Sequence, residues 1–167
     1  MVDPVANAAE IARFFSRVVV GPGRQDCWLW CAAVGSDGYG RFRIHRDGQV
    51  KMVRPPRYAL AVARAGRALE ADTKALHECD LTLCVRVVAA AEFADGVRPH
   101  VVPGTQRENM ERMAARGRGG GRPAVIARGA GEQLRRQRAV ELRAAVRGGW
   151  NPAAVQAALL GQQPRLW

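Results

Sequence analysis

Acidic residues are almost missing from one end of this chain. Residues 112–167 contain Glu132 and Glu141 against 11 Arg, a balance of +9, whereas residues 1–111 carry 15 Lys+Arg against 13 Asp+Glu, a balance of +2. The formal net charge of +11 is therefore a basic tail joined to a near-neutral body. That segregation is the electrostatic footprint of a polyanion binder, set against the blander reading of an Arg-rich solvated surface. No apolar run approaches the ~20 residues that a bilayer span requires. A basic start followed by an apolar stretch is lacking at the amino terminus, so no secretory signal is expected. Disulfides then have no oxidising compartment, and the four Cys argue for metal instead. At 167 residues the chain can hold one domain plus an appendage.

What is present centres on His77-Glu78-Cys79, Cys84, His100, and Asn109 within Thr105-Gln106-Arg107-Glu108-Asn109. Zn²⁺ takes Cys sulfur and His nitrogen in a closed tetrahedron. A nuclease needs a general base and a hard-oxygen ligand for a harder cation. Residues 77–109 supply candidates for both. The plainer readings are buried thiols acting as small hydrophobes, a structural His77, and Asn109 as a helix-start residue. Cys31 is read as core, with exchange for Cys27 as a ligand left open. His45 is read as solvated or phosphate-facing, and Trp28 and Trp30 as core anchors.

Ile11, Phe14, Phe15 and Val18 recur at helical spacing, predicting a short amphipathic helix between about Pro4 and Val20 that Gly21-Pro22-Gly23 ends. Cys27 to Cys31 starts a strand, and Ser36-Asp37-Gly38 makes a turn. Tyr39 to Ile44 and Val50 to Val53 alternate as half-buried strands around a turn at Arg46-Asp47-Gly48. Arg57 to Arg67 reads as a helix, and His77 to Cys84 as loop and short strand. Asn109 to Ala115 reads as helix, with Thr105 and Glu108 in the relation of a capping box. Residues 1–115 are expected to form one domain, residues 116–131 an Arg/Gly-rich linker, and residues 132–167 a basic helical tail. Within that tail Glu132 to Arg147 is a helix, and Asn151-Pro152 opens another. Helix, Gly-containing turn and helix make it partly helix-turn-helix-like, suited to DNA binding or dimerisation.

Cys-Trp-x-Trp at 27–30, Gly38-Tyr39-Gly40-x-Phe42, Arg57-Tyr58-Ala59, His77-x-Cys79-Asp80-x-x-x-Cys84-Val85 and Gly104-Thr105-Gln106-x-x-Asn109-Met110 together resemble the His-Cys box branch of the HNH (ββα-metal) endonucleases. These are homing-type nucleases often found free-standing in phage genomes. The resemblance covers roughly residues 12–118 and is specific only as a joint match. It implies an α+β fold: a ββα-metal nuclease core with a structural zinc site, plus the basic helical extension. It implies Cys27, Cys79, Cys84 and His100 as structural Zn²⁺ ligands, His77 as general base, and Asn109 as the ligand of a single catalytic Mg²⁺. A basic side chain supports the scissile phosphate in such enzymes, and Lys51 and Arg57 are both candidates. The implied partner is double-stranded DNA, with no membrane involved, and two-strand cutting at near-palindromic sites would call for a homodimer. Arg41, Arg43, Arg116, Arg118, Arg122, Arg135, Arg136 and Arg138 are the candidate DNA contacts. The expected compartment is the cytoplasm of a bacterial or phage-infected cell.

The chain departs from that pattern. Relatives carry Cys-x-Asn-Pro-x-His-Leu after the second Cys of the box, where this chain has Cys84-Val85-Arg86-Val87-Val88-Ala89. Ala89 to Arg98 is read as an insertion that moves the His ligand to His100, because His100 to Asn109 keeps the usual separation. The His that usually opens the helix at Arg57 is also absent. Two other functions compete with the nuclease: a zinc-stapled DNA-binding regulator or architectural protein that has lost cleavage, and an RNA-binding or assembly module working through the Arg/Gly segment.

Overall fold

A computed structural model describes residues 1–115 and 125–160. It is a mixed α+β structure of small antiparallel ribbons and short helices. In order these are α1 (Ala8–Phe15), β1 (Val18–Val20), β2 (Trp28–Trp30), β3 (Phe42–Arg46), β4 (Gln49–Val53), α2 (Pro55–Ala63), β5 (Lys74–His77), α3 (Ala90–Ala94), β6 (Val101–Gly104), α4 (Gln106–Ala115), α5 (Val125–Val146) and α6 (Pro152–Leu160). Strands pair as β1 with β2, β3 with β4, and β5 with β6, all antiparallel.

The β3–β4 hairpin follows from its turn. Asp47 (φ 54°) and Gly48 (φ 73°) both adopt the left-handed conformation, as a two-residue loop twisted to match its strands demands. Arg46 therefore faces Gln49, and Phe42 and Ile44 fall on the buried face while Arg43 and His45 face solvent.

One correction concerns the first helix. α1 stops at Phe15, and Val18–Val20 form a strand that pairs with Trp28–Trp30. β-branched Val18, Val19 and Val20 suit a pleated ribbon better than a last helical turn. α2 likewise begins two residues before Arg57, with both Pro55 and Pro56 in its first turn, where a missing N–H costs nothing.

The core is built around Phe14, which is fully buried. Its ring packs against Trp30, Phe42 and Tyr58 at centroid distances of 5.4, 5.2 and 4.7 Å. Polar bonds close the edge of this cluster. Glu10 accepts two hydrogen bonds from Arg46, at 2.8 and 2.6 Å, and one from Tyr58 Oη at 2.8 Å.

α5 begins at Val125, within the stretch read as linker; residues 116–124, with Arg116, Arg118 and Arg122, lie outside the described residues. Ala139, Leu142 and Val146 of α5, with Val155 and Ala158 of α6, belong to the same buried cluster as Phe14 and Trp30. The contact with the body is close at Gly38 (φ 76°), where a Cβ would lie 2.9 Å from the Arg135 backbone. α6 starts as read: Asn151 Oδ1 accepts from Ala154 N at 3.0 Å, and Pro152 takes the first helical position. Among the described residues no helix is long and apolar enough to cross a membrane.

Candidate metal centre

Two separate stretches of backbone bring the Cys ligands together. The segment around Cys84 runs alongside β2 as a short extra strand, with Trp30 N donating to Leu83 O (2.9 Å), Val85 N donating to Trp28 O (2.8 Å), and Leu29 opposite Cys84. Cys27 lies two residues before Leu29, so it shares a face with Cys84 across the ribbon. Cys79 arrives from the end of β5. Asp80 then turns the chain back with φ 61°, a conformation that Asp tolerates better than most residues. Leu81 O accepts from Cys84 N at 3.0 Å and closes that turn.

His100 completes the group from the other side, immediately before β6. Its carbonyl accepts from Glu78 N at 2.8 Å, and the next amide, Val101 N, donates to Arg86 O at 3.0 Å. The Cys27, Cys79 and Cys84 sulfurs and a His100 ring nitrogen all lie within 4.8 Å of one another. His100 Nδ1 is 3.3 Å from Cys27 Sγ and 3.9 Å from Cys84 Sγ. A tetrahedron with Zn–S of about 2.3 Å and Zn–N of about 2.0–2.1 Å has edges of roughly 3.5–3.8 Å, which those distances bracket. Cys84 is fully buried and His100 is 5% exposed. Four soft or borderline donors, three of them buried and Cys79 half-buried, with no Cys in a disulfide, could hold a metal ion such as zinc.

The thiols feel each other strongly. Hydrogen bonds from Cys27 and then Cys84 hold the Cys79 thiol far below its ordinary range, while the bond with Cys79, then that with Cys84, and burial push Cys27 far above. Cys84 is lowered by its bond with Cys27, but Cys79 and burial outweigh this and push it up to about 12. One thiolate is readily formed here, and a cation is what would let all three form.

Cys31 stays outside this group: its thiol donates to Arg17 O at 3.2 Å. That separates Cys27 from Cys31, which the sequence left open.

His77 ends β5 opposite Val101, half-buried, with its ring in hydrogen-bonding contact with Cys79. Two antiparallel strands are followed directly by a helix, because α4 leaves β6 after Thr105. The capping box forms as read: Glu108 N donates to Thr105 Oγ1 at 3.2 Å, and Thr105 N donates to Glu108 Oε2 at 2.6 Å. α4 packs against β5, and Arg112 of α4 pairs with Glu78, the residue after His77. Asn109 is half-buried on this helix; its amide makes one weak hydrogen bond among the described residues, from Nδ2 to Met113 Sδ at 3.8 Å.

The basic candidates divide by engagement. Both terminal nitrogens of Arg57 donate to loop carbonyls, Thr73 O from Nη1, and Glu70 O (2.9 Å) and Ala71 O (3.1 Å) from Nη2. Arg57 therefore braces the approach to β5. Lys51 is exposed on β4, 4.0 Å from Asp47. Arg41 pairs with Asp37 at 2.9 Å, and Arg135 donates to Asp37 O at 2.9 Å. Arg138 donates to Leu159 O at 2.9 Å and ties α5 to α6. Arg43 and Arg136 are exposed.

Comparison with protein-family models, with curated proteins and with solved structures gives no match, so function rests on the site itself.

Proposed function

We propose that the chain is a divalent-metal-dependent DNA endonuclease of the ββα-metal type, stapled by a structural zinc ion on Cys27, Cys79, Cys84 and His100. One observation carries this reading. β5, β6 and α4 form two antiparallel strands and a helix, His77 and Asn109 sit on the packed pair β5 and α4, and the four-ligand cluster closes the connection between the strands.

The residues suit their parts. The hydrogen-bonding contact with the Cys79 sulfur orients the His77 ring beside the cluster. As general base, His77 would take the proton of the attacking water as oxygen bonds to phosphorus and the P–O3′ bond breaks. Asn109 offers a neutral oxygen suited to Mg²⁺, which when bound would offset charge at the phosphate and the departing 3′ oxygen. The Glu78–Arg112 pair, one helical turn from Asn109, holds α4 in register with β5. Arg43 on the open face of the β3–β4 ribbon, and Arg136 on α5, are placed to meet phosphates.

A second reading, a zinc-stapled DNA binder without cleavage, draws support from Arg57, whose terminal nitrogens are spent on loop carbonyls rather than offered to a phosphate. Plasmid cleavage separates the two. Wild type with Mg²⁺ should give nicked or linear product, lost with EDTA and in His77→Ala and Asn109→Ala. Folded wild type that shifts duplex DNA without cutting it would establish the binder instead. Mg²⁺-independent preference for single strands would point to the RNA-binding or assembly module.

A further inference from the structure

Between Cys84 and His100 run residues 85–99, far more chain than is needed to return to the metal centre. A loop of that length pays closure entropy each time it holds its one ligand in place, unless other contacts fix it. Val85 and Val97 are buried near the two ends of this loop, but α3 between them buries no residue and Phe93 is 62% exposed. Two polar fastenings add to these anchors, and both land on the two residues before Cys27.

The first is Arg86, only 4% exposed. Its Nη1 donates to Asp26 O at 2.7 Å, its Nη2 to Glu92 Oε1 at 3.2 Å, and its guanidinium lies 5.6 Å from the centre of the Trp28 ring. Glu92 Oε2 also accepts from Ala89 N at 3.0 Å, so one carboxylate caps α3 and anchors it to Arg86. The second is Gln25, whose amide donates from Nε2 to Gly96 O at 3.0 Å and accepts at Oε1 from Arg98 N at 2.9 Å. Beside this seam lies a cavity of about 390 Å³, bordered by Gln25, Cys27, Cys79, Arg98 and His100.

We propose that Gln25, Arg86 and Glu92 are positioning residues for His100: they strap the 85–99 loop to the Cys27 segment and so complete the Cys3His donor set. This rests on the reading of the cluster as a metal centre. Released from the strap, His100 would swing toward the cavity, and water would supply the fourth donor to a metal held by three thiolates.

Co²⁺ titration of the full chain tests this by absorbance, because its ligand-field bands report donor type. His100→Ala supplies the reference spectrum for three sulfurs and water. Gln25→Ala, at an exposed side chain, and the isosteric Glu92→Gln keep the fold. Each should weaken Co²⁺ binding about 10–100-fold and shift the bands toward the reference. Unchanged affinity and bands in both variants would overturn the proposal, as would weaker binding with the wild-type spectrum intact. Wild type lacking any thiolate-to-cobalt band would instead remove the metal centre itself, and the strap with it.

Discussion

A metal ion bound at the Cys27, Cys79, Cys84 and His100 cluster should supply a large share of the stability of this chain. The four donors join the end of the 21–27 loop, the turn after β5, the short strand beside β2, and the start of β6. A ligand that binds only the folded state at a free concentration 1,000 times its dissociation constant contributes about 4 kcal/mol. For a chain of this size each kcal/mol moves the melting temperature by about 2–4 °C, so complete chelation should lower it by roughly 8–16 °C. The loss should shrink at lower pH, where protons compete for the thiolates and the holo-protein starts weaker. Calorimetry of metal-loaded and chelator-treated protein, with metal content measured on both, makes the comparison. Equal melting temperatures for loaded and stripped protein would refute the stapling argument.

Three further outcomes follow from packing and charge. Phe14→Ala empties the centre of the aromatic cluster and should destabilise by about 3–5 kcal/mol in chemical denaturation. Gly38→Ala forces a side chain into a left-handed position against the Arg135 backbone, costing more than the 1–2 kcal/mol of the conformation alone; unchanged stability would mean that α5 is not docked there. Glu10 is raised by burial but lowered more by hydrogen bonds from Arg46 and Tyr58, leaving it below its ordinary value near 4.5. A depressed carboxylate stabilises above its unfolded pKa and loses that contribution as pH falls through the folded value. Glu10→Gln should therefore cost about 1.5–3 kcal/mol at neutral pH, and the gap from wild type should close only well below pH 4.5. A gap independent of pH would contradict the assignment.

Local chemistry made some elements legible in the sequence. Asp47-Gly48 between alternating strands gave the β3–β4 hairpin, because few other turns suit that pair. The Thr105/Glu108 box and Asn151-Pro152 marked two helix starts, since the bonds that cap a helix lie within four residues. The Cys79–Cys84 spacing signalled metal, and the distance from His100 to Asn109 singled out His100 despite the insertion. β1 was hidden because Val18 continues the apolar period of α1; its partner in β2 decides the matter, and pairing is a tertiary fact. Choosing Cys27 over Cys31 required the register of β2 against the Cys84 strand. Gln25, Arg86 and Glu92 left no local signal, as their bonds to the loops they fasten span up to 73 residues. Arg57 stood beside Lys51 as a candidate phosphate ligand because charge is visible in a sequence, and the three carbonyls that claim Arg57 are not.

The strap, the placement of His77 and the stapling of the fold all refer to the Cys3His centre. X-ray absorption at the zinc edge, with elemental analysis of protein expressed in zinc-supplemented medium, tests it most directly. The prediction is one zinc per chain in a shell of three sulfurs at about 2.3 Å and one nitrogen at about 2.0–2.1 Å. Protein without zinc, or zinc in a shell of oxygen and nitrogen alone, would contradict it.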